Sequence, residues 1–251
     1  MIDFFAIPDN SSLGQLLRAP LRLVPKGIEV PILQGPIRGR RWIVGSATHG
    51  CWLGTYEASK ARRLASVIEP GMTCFDINAN VGYYTLLFSH LAGPAGRVIA
   101  FEPLPQNVGY LRRHVRINRC NNVEILDLAV ADYNGMARFA ESERASMGRL
   151  SPSGGLSVRC ATLESILSEG TISTPDVMKI DVEGAELAVL MGGRKILETA
   201  KPIIFSPHMG QRCTLRAAVF FAISAIAWSL WRKVLLRPQV NFSRLHQKPR
   251  E

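Results

Sequence analysis

The sequence predicts an α/β fold with a doubly wound, mostly parallel sheet. Three observations support this prediction: short apolar runs alternate with helical patterns, the loops between them are short, and polar residues follow the ends of the apolar runs. Parallel strands joined by helices need right-handed crossovers, which bring the carboxyl ends of the strands to one edge of the sheet. A ligand crevice is expected at that edge.

Composition and charge fit one large α/β domain with an appendage. The chain has 251 residues, of which 47% are hydrophobic, and this excludes disorder of the whole chain. Basic residues outnumber acidic ones by nine to five in residues 1–69 and by eight to one in residues 211–251, whereas residues 70–210 hold thirteen basic and fourteen acidic residues. The net charge of +10 therefore belongs to the two ends, and we expect no nucleic-acid partner.

The cysteines and the N-terminus predict a cytoplasmic protein. Five cysteines are scattered without a C-x-x-C pair, which argues against a zinc site or a disulfide framework and predicts no dedicated metal site. The first residues, MIDFFAIPDN, have no basic stretch and no long apolar core, so they do not resemble a signal peptide.

The proline-rich leader, residues 1–54, is expected to form loops and short strands. Its five prolines block long helices, and a small hairpin is predicted around Arg41–Val44. A lid or a dimer contact stays open as a role, but a surface extension packed on the sheet is favoured. A helix is predicted over Tyr56–Ile68, where small and apolar residues recur at helical spacing.

The chain is organised around the stretch Gly71–Leu87. An apolar strand, Thr73–Ile77, runs into the turn-prone residues Asn78–Gly82, and a helix follows from about Val81 to Leu91. Strand, tight turn and helix form the pattern that binds a nucleotide-like ligand at the first strand of an open sheet, because the turn admits the ligand and the helix presents free N–H groups.

The remaining elements continue the alternation. Further strands are predicted at Arg97–Phe101, Val123–Leu126, Met136–Ala140, Ser157–Cys160, Val177–Ile180 and Pro202–Phe205, and further helices at Pro105–Asn118, Thr162–Leu167 and Ala185–Leu197. The polar loop Glu141–Gly155 is interpreted equally well as a cover for a substrate or as an ordinary hairpin loop.

Five polar residues lie at or just past the ends of predicted strands. They are Asp76, Glu102, Asp127, Asp181 and His208. In a parallel sheet the carboxyl ends of the strands lie at one edge, so these residues are expected to line one crevice. Glu102 follows the turn by about twenty residues, the interval at which a carboxylate accepts hydrogen bonds from both ribose hydroxyls of an adenosine ligand.

Four segments together resemble the FkbM family of S-adenosylmethionine-dependent methyltransferases: FDINANVGYYT, FEPLPQN, KIDVEGAE and PIIF followed by a histidine. The resemblance covers roughly Gly54 to His208 and implies a Rossmann-like class I methyltransferase fold. The D-V-E-G-A-E segment disfavours a nicotinamide-dependent dehydrogenase, which shares only the glycine-containing turn.

The resemblance implies a role for particular residues. Asp76 and the turn residues Asn78, Asn80 and Gly82 would surround the methionine part of the cofactor, Glu102 would hold the ribose, and Asp127 and Ala129 would lie near the adenine. The acceptor, a hydroxyl of a sugar, polyketide or similar small molecule or glycan, would sit over Asp181, Glu183 and His208.

Transfer of a methyl group to a hydroxyl needs alignment, exclusion of water and removal of a proton. His208 is the first candidate base and Asp181 the second. Other interpretations stay open: Asp181 could cap the next helix or hold the cofactor, Glu183 could favour the helix dipole, and His208 could be structural.

Two departures from the family pattern favour a rival hypothesis, a non-catalytic methyltransferase-like binding or structural protein. The first is Asn78, which stands where the family usually has glycine. Asparagine tolerates positive φ, so the backbone turn can survive, but its side chain occupies space that the ligand approaches.

The second departure is the C-terminal end, residues 211–251, which follows the 55–210 methyltransferase domain. An apolar helix is predicted over Leu215–Val234, and a basic, structureless tail over Arg237–Glu251. Packing of the helix on the sheet is favoured over contact with a membrane surface. The uncharged stretch is too short to span a bilayer. A tail from a shifted reading frame is the third interpretation.

Overall fold

The computed structural model describes residues 19–141, 148–150, 155–170, 172–182, 184–206 and 215–216. Within these ranges the strands are β1 (Glu29–Pro31), β2 (Arg41–Ile43), β3 (Thr73–Ile77), β4 (Arg97–Phe101), β5 (Val123–Leu126), β6 (Ala129–Val130), β7 (Gly135–Glu141), β8 (Gly148–Leu150), β9 (Leu156–Ala161), β10 (Val177–Ile180), β11 (Ile203–Phe205) and β12 (Leu215–Arg216). The helices are α1 (His49–Leu53), α2 (Ala58–Ala65), α3 (Tyr83–Ala92), α4 (Pro105–Ile117), α5 (Leu163–Ser168), α6 (Glu186–Met191) and α7 (Arg194–Ala200), with a short 3₁₀ turn at Ala19–Leu23.

The central sheet has the order β12-β11-β10-β3-β4-β5, and the five strands from β11 to β5 are parallel. The chain builds outwards from β3 through β4 to β5 and then returns to the other side of β3 with β10 and β11. The strand order therefore reverses between β3 and β10, and open α/β sheets bind their ligands at the carboxyl ends of such a pair. This confirms the predicted fold class.

The central strands form because their residues are apolar on both faces. In β3, β4 and β10 nearly every residue is buried, as expected for a parallel sheet covered by helices on both sides. The bounds of β3, β4, β5 and β10 agree with the prediction residue for residue. The core lies on the two faces of this sheet.

One predicted helix is wrong in its length. The run predicted as a single helix, Ala185–Leu197, is broken into α6 and α7 at Gly192 and Gly193. A Cβ atom at Gly192 would lie 2.0 Å from the carbonyl oxygen of Ala131, so the backbones meet here too closely for a side chain. The close approach ends α6.

The described part of the leader is built into the core. The predicted hairpin is confirmed, since β1 and β2 pair antiparallel. Trp42 is completely buried and shares a hydrophobic cluster with Leu86 and Leu87 of α3. The helix α1 was not predicted, and its Cys51 and Trp52 join the same cluster.

A second sheet, β6-β9-β7-β8, follows the central one along the chain. It contains the two extra strands predicted near residues 136–140 and 157–160. Its strand β8 falls within the interval predicted as the loop Glu141–Gly155 and pairs antiparallel with β7. This part of the interval is therefore a hairpin strand.

The C-terminal helix predicted from Leu215 is wrong at its start. Leu215 and Arg216 form β12, which pairs antiparallel with β11 at the edge of the sheet. The rest of the predicted helix and tail lies outside the described residues. In the part of the chain that the structure covers, no helix has both the length and the apolarity needed to cross a bilayer.

Candidate functional site: the crevice between β3 and β10

The turn between β3 and α3 holds three residues in the left-handed region. The φ angles are 59° at Asn78, 53° at Asn80 and 98° at Gly82. Asn78 thus adopts the positive φ that asparagine was expected to tolerate here. The φ of 98° favours glycine at position 82, where a Cβ atom would also lie 2.5 Å from Leu111 Cδ1 of α4.

Glu102 directly follows β4 and anchors this turn by a hydrogen bond. Its Oε2 accepts a 2.7 Å hydrogen bond from the N–H of Asn80. Its Oε1 accepts bonds from the N–H of Leu104 (3.0 Å) and from Asn107 Nδ2 (3.1 Å). The side chain is completely buried. Burial raises the pKa of Glu102, and these three bonds and the charge of Lys179 oppose the shift.

Asp76 belongs to β3 and comes just before the turn. It is completely buried, its Oδ2 accepts a 2.6 Å hydrogen bond from Thr85 Oγ1, and its Oδ1 lies 3.1 Å from Lys179 Nζ. The Lys179 ammonium also donates to the carbonyl oxygens of Asn78 (2.8 Å) and Ile77 (3.4 Å). The buried charge of Asp76 is thus balanced by a lysine of the neighbouring strand β10.

The Asn78 side chain crosses the crevice between the two central strands. Its Nδ2 donates a 2.6 Å hydrogen bond to the carbonyl oxygen of Asp181, directly after β10. The Asp181 carboxylate points to α2, where its Oδ2 lies 3.0 Å from Lys60 Nζ. Asp181 is therefore held at its backbone by the turn and at its side chain by a lysine.

Lys60 belongs to a small charged cluster at the mouth of the crevice. Its Nζ also lies 3.2 Å from Glu57 Oε2, which accepts a very short hydrogen bond from the hydroxyl of Tyr84. Burial lowers the pKa of Lys60, but the carboxylates of Asp181 and Glu57 raise it more, so the pKa lies above its ordinary value. Burial and the Glu57 carboxylate raise the pKa of Tyr84. Lys60 thus stays charged and Tyr84 stays neutral at neutral pH.

His114 of α4 connects the turn to the leader. It is completely buried and stacks on Trp42 with ring centroids 4.1 Å apart. Its Nε2 accepts the N–H of Ile43 at 3.0 Å, so its Nδ1 carries the proton and donates to the carbonyl oxygen of Val81 at 2.7 Å. Burial lowers the pKa of His114 to about 4, and the charge of Arg113 adds to the shift, against the opposing bond to Val81.

The two residues expected near the adenine lie further along the edge. Asp127 follows β5, its side chain is 52% exposed, and its Oδ1 accepts a 2.7 Å hydrogen bond from Arg112. Ala129 is half-buried at the start of β6.

The structure brings most of the predicted site residues together. Around the turn and the ends of β3, β4 and β10 lie Asp76, Asn78, Asn80, Gly82, Glu102 and Asp181. His208 and Glu183 lie outside the described residues. Among those described, no group of three His, Cys, Asp or Glu side chains is arranged to hold a metal ion.

The sequence analysis missed three residues that shape the site: Lys179, Lys60 and His114. Lys179 left a signal, because it is the one charged residue in the apolar strand VMKI. Lys60 and His114 left none, since each lies in a helix that also carries exposed basic residues.

Comparison with known proteins decides the family. A family model described as the methyltransferase FkbM domain matches residues 76–235, which is more than half of the chain. The chain belongs to the FkbM methyltransferase family. The match extends past His208, where the sequence analysis ended the resemblance, to residue 235.

Three relatives within the curated proteins show the range of the FkbM family. The hexuronic acid methyltransferase AglP of Haloferax volcanii is 27% identical, over 61% of this chain and 63% of its own length. The 31-O-demethyl-FK506 methyltransferase FkbM of Streptomyces tacrolimicus is 28% identical, over 50% of this chain and 60% of its own. The 2-O-methyltransferase NoeI of Sinorhizobium fredii is 26% identical, over 60% and 69%. The chain thus spans less than two thirds of the first two relatives.

Proposed function

We propose that this protein transfers a methyl group from S-adenosylmethionine to a hydroxyl oxygen of a sugar, a polyketide or a similar small-molecule or glycan acceptor. The observation that carries the proposal is the left-handed turn Asn78–Gly82, anchored on Glu102 at the point where the strand order reverses, in a chain of a methyltransferase family. The names of two of the relatives specify methylation at oxygen, and two specify a hexuronic acid or 31-O-demethyl-FK506 as the molecule acted on.

The residues around the turn fit the cofactor in charge. Three carboxylates and two ammonium groups lie in contact with one another or with the ring of Tyr84; they are Asp76, Glu57, Asp181, Lys179 and Lys60. Their sum is one negative charge, which complements a sulfonium cation.

The cradle for the cofactor also fits in shape and hydrogen bonding. The turn has the left-handed backbone conformation that lets a ligand approach. Glu102 accepts three hydrogen bonds, whereas a carboxylate has about four lone-pair sites. A ribose hydroxyl would take the remaining site. Because Glu102 is completely buried, the groups that cover it must move aside for this contact.

S-adenosylmethionine supplies an electrophilic methyl group for in-line displacement, so the chain has to orient the acceptor, exclude water and remove a proton. Asp181 is placed for the first task, because Lys60 and Asn78 fix its side chain and its backbone. We assign removal of the hydroxyl proton to His208 or Asp181, and contact with the acceptor to Glu183. We assign the adenine end of the cofactor to Asp127 and Ala129.

A cytoplasmic location suits this proposal. Four cysteines of the described residues, Cys51, Cys74, Cys120 and Cys160, are buried free thiols, and such thiols are typical of a reducing compartment.

A second candidate function, a methyltransferase-like protein that no longer binds the cofactor, is favoured by one contact. The hydrogen bond from Asn78 Nδ2 to the Asp181 carbonyl closes the crevice between β3 and β10 with a side chain that glycine lacks. If this bond holds firmly, the ligand cannot enter.

Isothermal titration with S-adenosylhomocysteine separates the two functions. The wild type is compared with Asn78→Gly, which removes the bridging side chain. Arg119→Gly is the matched control, because Arg119 also has a positive φ of 53° but is exposed at the end of α4, away from the crevice. Both changes place glycine at a position with positive φ, although asparagine tolerates this region better than arginine does.

We expect binding by the wild type and by Arg119→Gly. Binding only by Asn78→Gly would support the non-catalytic function and identify the Asn78 side chain as its cause. If neither the wild type nor Asn78→Gly, each folded by circular dichroism, binds at millimolar ligand, the proposed methyl transfer is rejected.

A further inference from the structure

Lys179 is a buried lysine that contacts two backbone carbonyls in addition to the carboxylate that balances its charge. Its side chain is almost completely buried in β10, and its ammonium lies 3.1 Å from Asp76 Oδ1. The same ammonium reaches the carbonyl oxygens of Asn78 at 2.8 Å and Ile77 at 3.4 Å, and it lies 5.5 Å from the centre of the Tyr84 ring. An ammonium has three N–H donors; the two carbonyls accept hydrogen bonds from two of them, and the carboxylate is an ion-pair contact.

The two carbonyls lie where β3 leaves the sheet. The pairing of β3 with β10 ends at Ile77 opposite Ile180, so the carbonyl of Asn78 is beyond the last paired residues. At this point Asn78 turns into the left-handed region. This partly buried carbonyl outside the ladder has Lys179 of the neighbouring strand as its donor.

A second bridge runs in the opposite direction. Asn78 Nδ2 donates to the carbonyl oxygen of Asp181, two residues after Lys179. The turn after β3 and the segment after β10 therefore each donate one hydrogen bond to the other's backbone. Neither bond belongs to the sheet ladder, and both lie at the edge where the ligand is expected.

We infer that Lys179 is a positioning residue for the cofactor turn: its ammonium fixes the carbonyls of Ile77 and Asn78, and thereby the direction in which Asn78–Gly82 leaves β3. This inference rests on the proposed function, because the turn is the binding element for S-adenosylmethionine. In this role Lys179 acts through the turn, and Asp76 balances its charge.

The test is a double-mutant cycle in affinity for S-adenosylhomocysteine, measured by titration. The variants are Lys179→Met, Asp76→Asn and the double variant, in which both buried charges are removed so that the fold is kept. Lys195→Met is the control, since Lys195 is exposed in α7. Hydrogen exchange at the amides of the turn is measured on the same proteins.

We expect Lys179→Met to bind at least about tenfold more weakly than the wild type, and the double variant to bind at least about threefold more weakly than Asp76→Asn, because Asp76→Asn keeps the ammonium on the carbonyls. Exchange at Ala79, Asn80 and Gly82 should become faster in the double variant, while β4 stays protected. In the wild type these three amides donate to Phe101, Glu102 and Ala79.

Two results would overturn the inference. One is a folded double variant that binds within about threefold of the wild type, which would reduce Lys179 to a charge partner of Asp76. The other is Asp76→Asn binding as weakly as the double variant. If the wild type itself does not bind, the proposed function fails, and the exchange at the turn amides still decides the role of Lys179.

Discussion

Glu102 and Asp127 hold the same position on neighbouring strands but meet opposite environments. Each carboxylate directly follows a parallel strand, β4 or β5, at the same edge of the sheet. Glu102 is completely buried and accepts three hydrogen bonds, whereas the Asp127 side chain is 52% exposed and accepts one from the exposed Arg112. A strand end fixes where a carboxylate lies, but not what surrounds it.

The difference comes from the element that follows each strand. After β4 the chain enters α4 almost at once, so the N–H of Leu104 and the side chain of Asn107 reach back to Glu102. After β5 it continues into β6 of the second sheet, and only Arg112 reaches Asp127 from outside. Buried hydrogen bonds to a charge contribute more free energy than an exposed ion pair, so the two sites should respond very differently to mutation.

The largest effect is expected for Glu102→Gln. An amide has one oxygen, so one side of the new group would turn an NH₂ towards the N–H of Asn80 or towards the donors of Leu104 and Asn107. We expect the free energy of unfolding to fall by about 3 kcal/mol and the affinity for S-adenosylhomocysteine to fall at least about tenfold.

Urea denaturation and titration measure the two effects of Glu102→Gln. Glu124→Gln is the control, because Glu124 in β5 only forms a partly exposed pair with Arg97, and a loss below about 1 kcal/mol is expected there. If Glu102→Gln changed stability as little as the control, the Glu102 carboxyl would have to be protonated in the folded protein. That result would remove the charge on which the comparison depends.

A smaller effect, dependent on pH, is expected from His114 on the buried side. The folded protein keeps this imidazole neutral down to a pKa of about 4, whereas the unfolded chain binds the proton near the ordinary value of 6.5. Between these values the unfolded state holds more protons, so the stabilising effect of the neutral ring is present above pH 6.5 and is lost as the pH falls. From pH 7 to about pH 5 the free energy of unfolding should fall by about 2 kcal/mol from this group alone.

Denaturation curves for the wild type and His114→Gln isolate this contribution. The variant lacks the titrating ring, so its stability should depend less on pH over the same interval. His90→Gln serves as the comparison: burial and the charge of Arg40 also lower the pKa of His90, but His90 is exposed, so this variant should change the slope in the same direction and by less than His114→Gln. Equal slopes for the wild type and His114→Gln would mean that the folded protein does not depend on a neutral His114 to accept the N–H of Ile43.

Local patterns predicted the strands and the turn correctly. The strand Thr73–Ile77 is a short apolar run bounded by Gly71 and Asn78, and such boundaries depend only on neighbouring residues. The positive φ of Asn78 also followed from local chemistry, since asparagine tolerates this region.

Contacts between distant segments escaped prediction. Lys60 pairs with Asp181 across 121 positions of the chain, and Lys179 reaches the Asn78 carbonyl across 101. The break between α6 and α7 depends on the Ala131 carbonyl, which the sequence near Gly192 does not reveal. Residue type and spacing identify a strand end, but the partner of a side chain there is set by how the whole domain packs.

The smallest effect is expected for Asp127→Asn on the exposed side. The pair with Arg112 is exposed on both sides, so removing it should change the free energy of unfolding by less than about 0.5 kcal/mol. Arg112→Gln removes the same pair from the other partner and is the matched control. If Asp127 contacts the adenine, as proposed, Asp127→Asn should weaken S-adenosylhomocysteine binding by up to about tenfold while Arg112→Gln does not. Equal affinities for the two variants and the wild type would leave Asp127 as a surface ion pair and confine recognition of the cofactor to the buried side of the crevice.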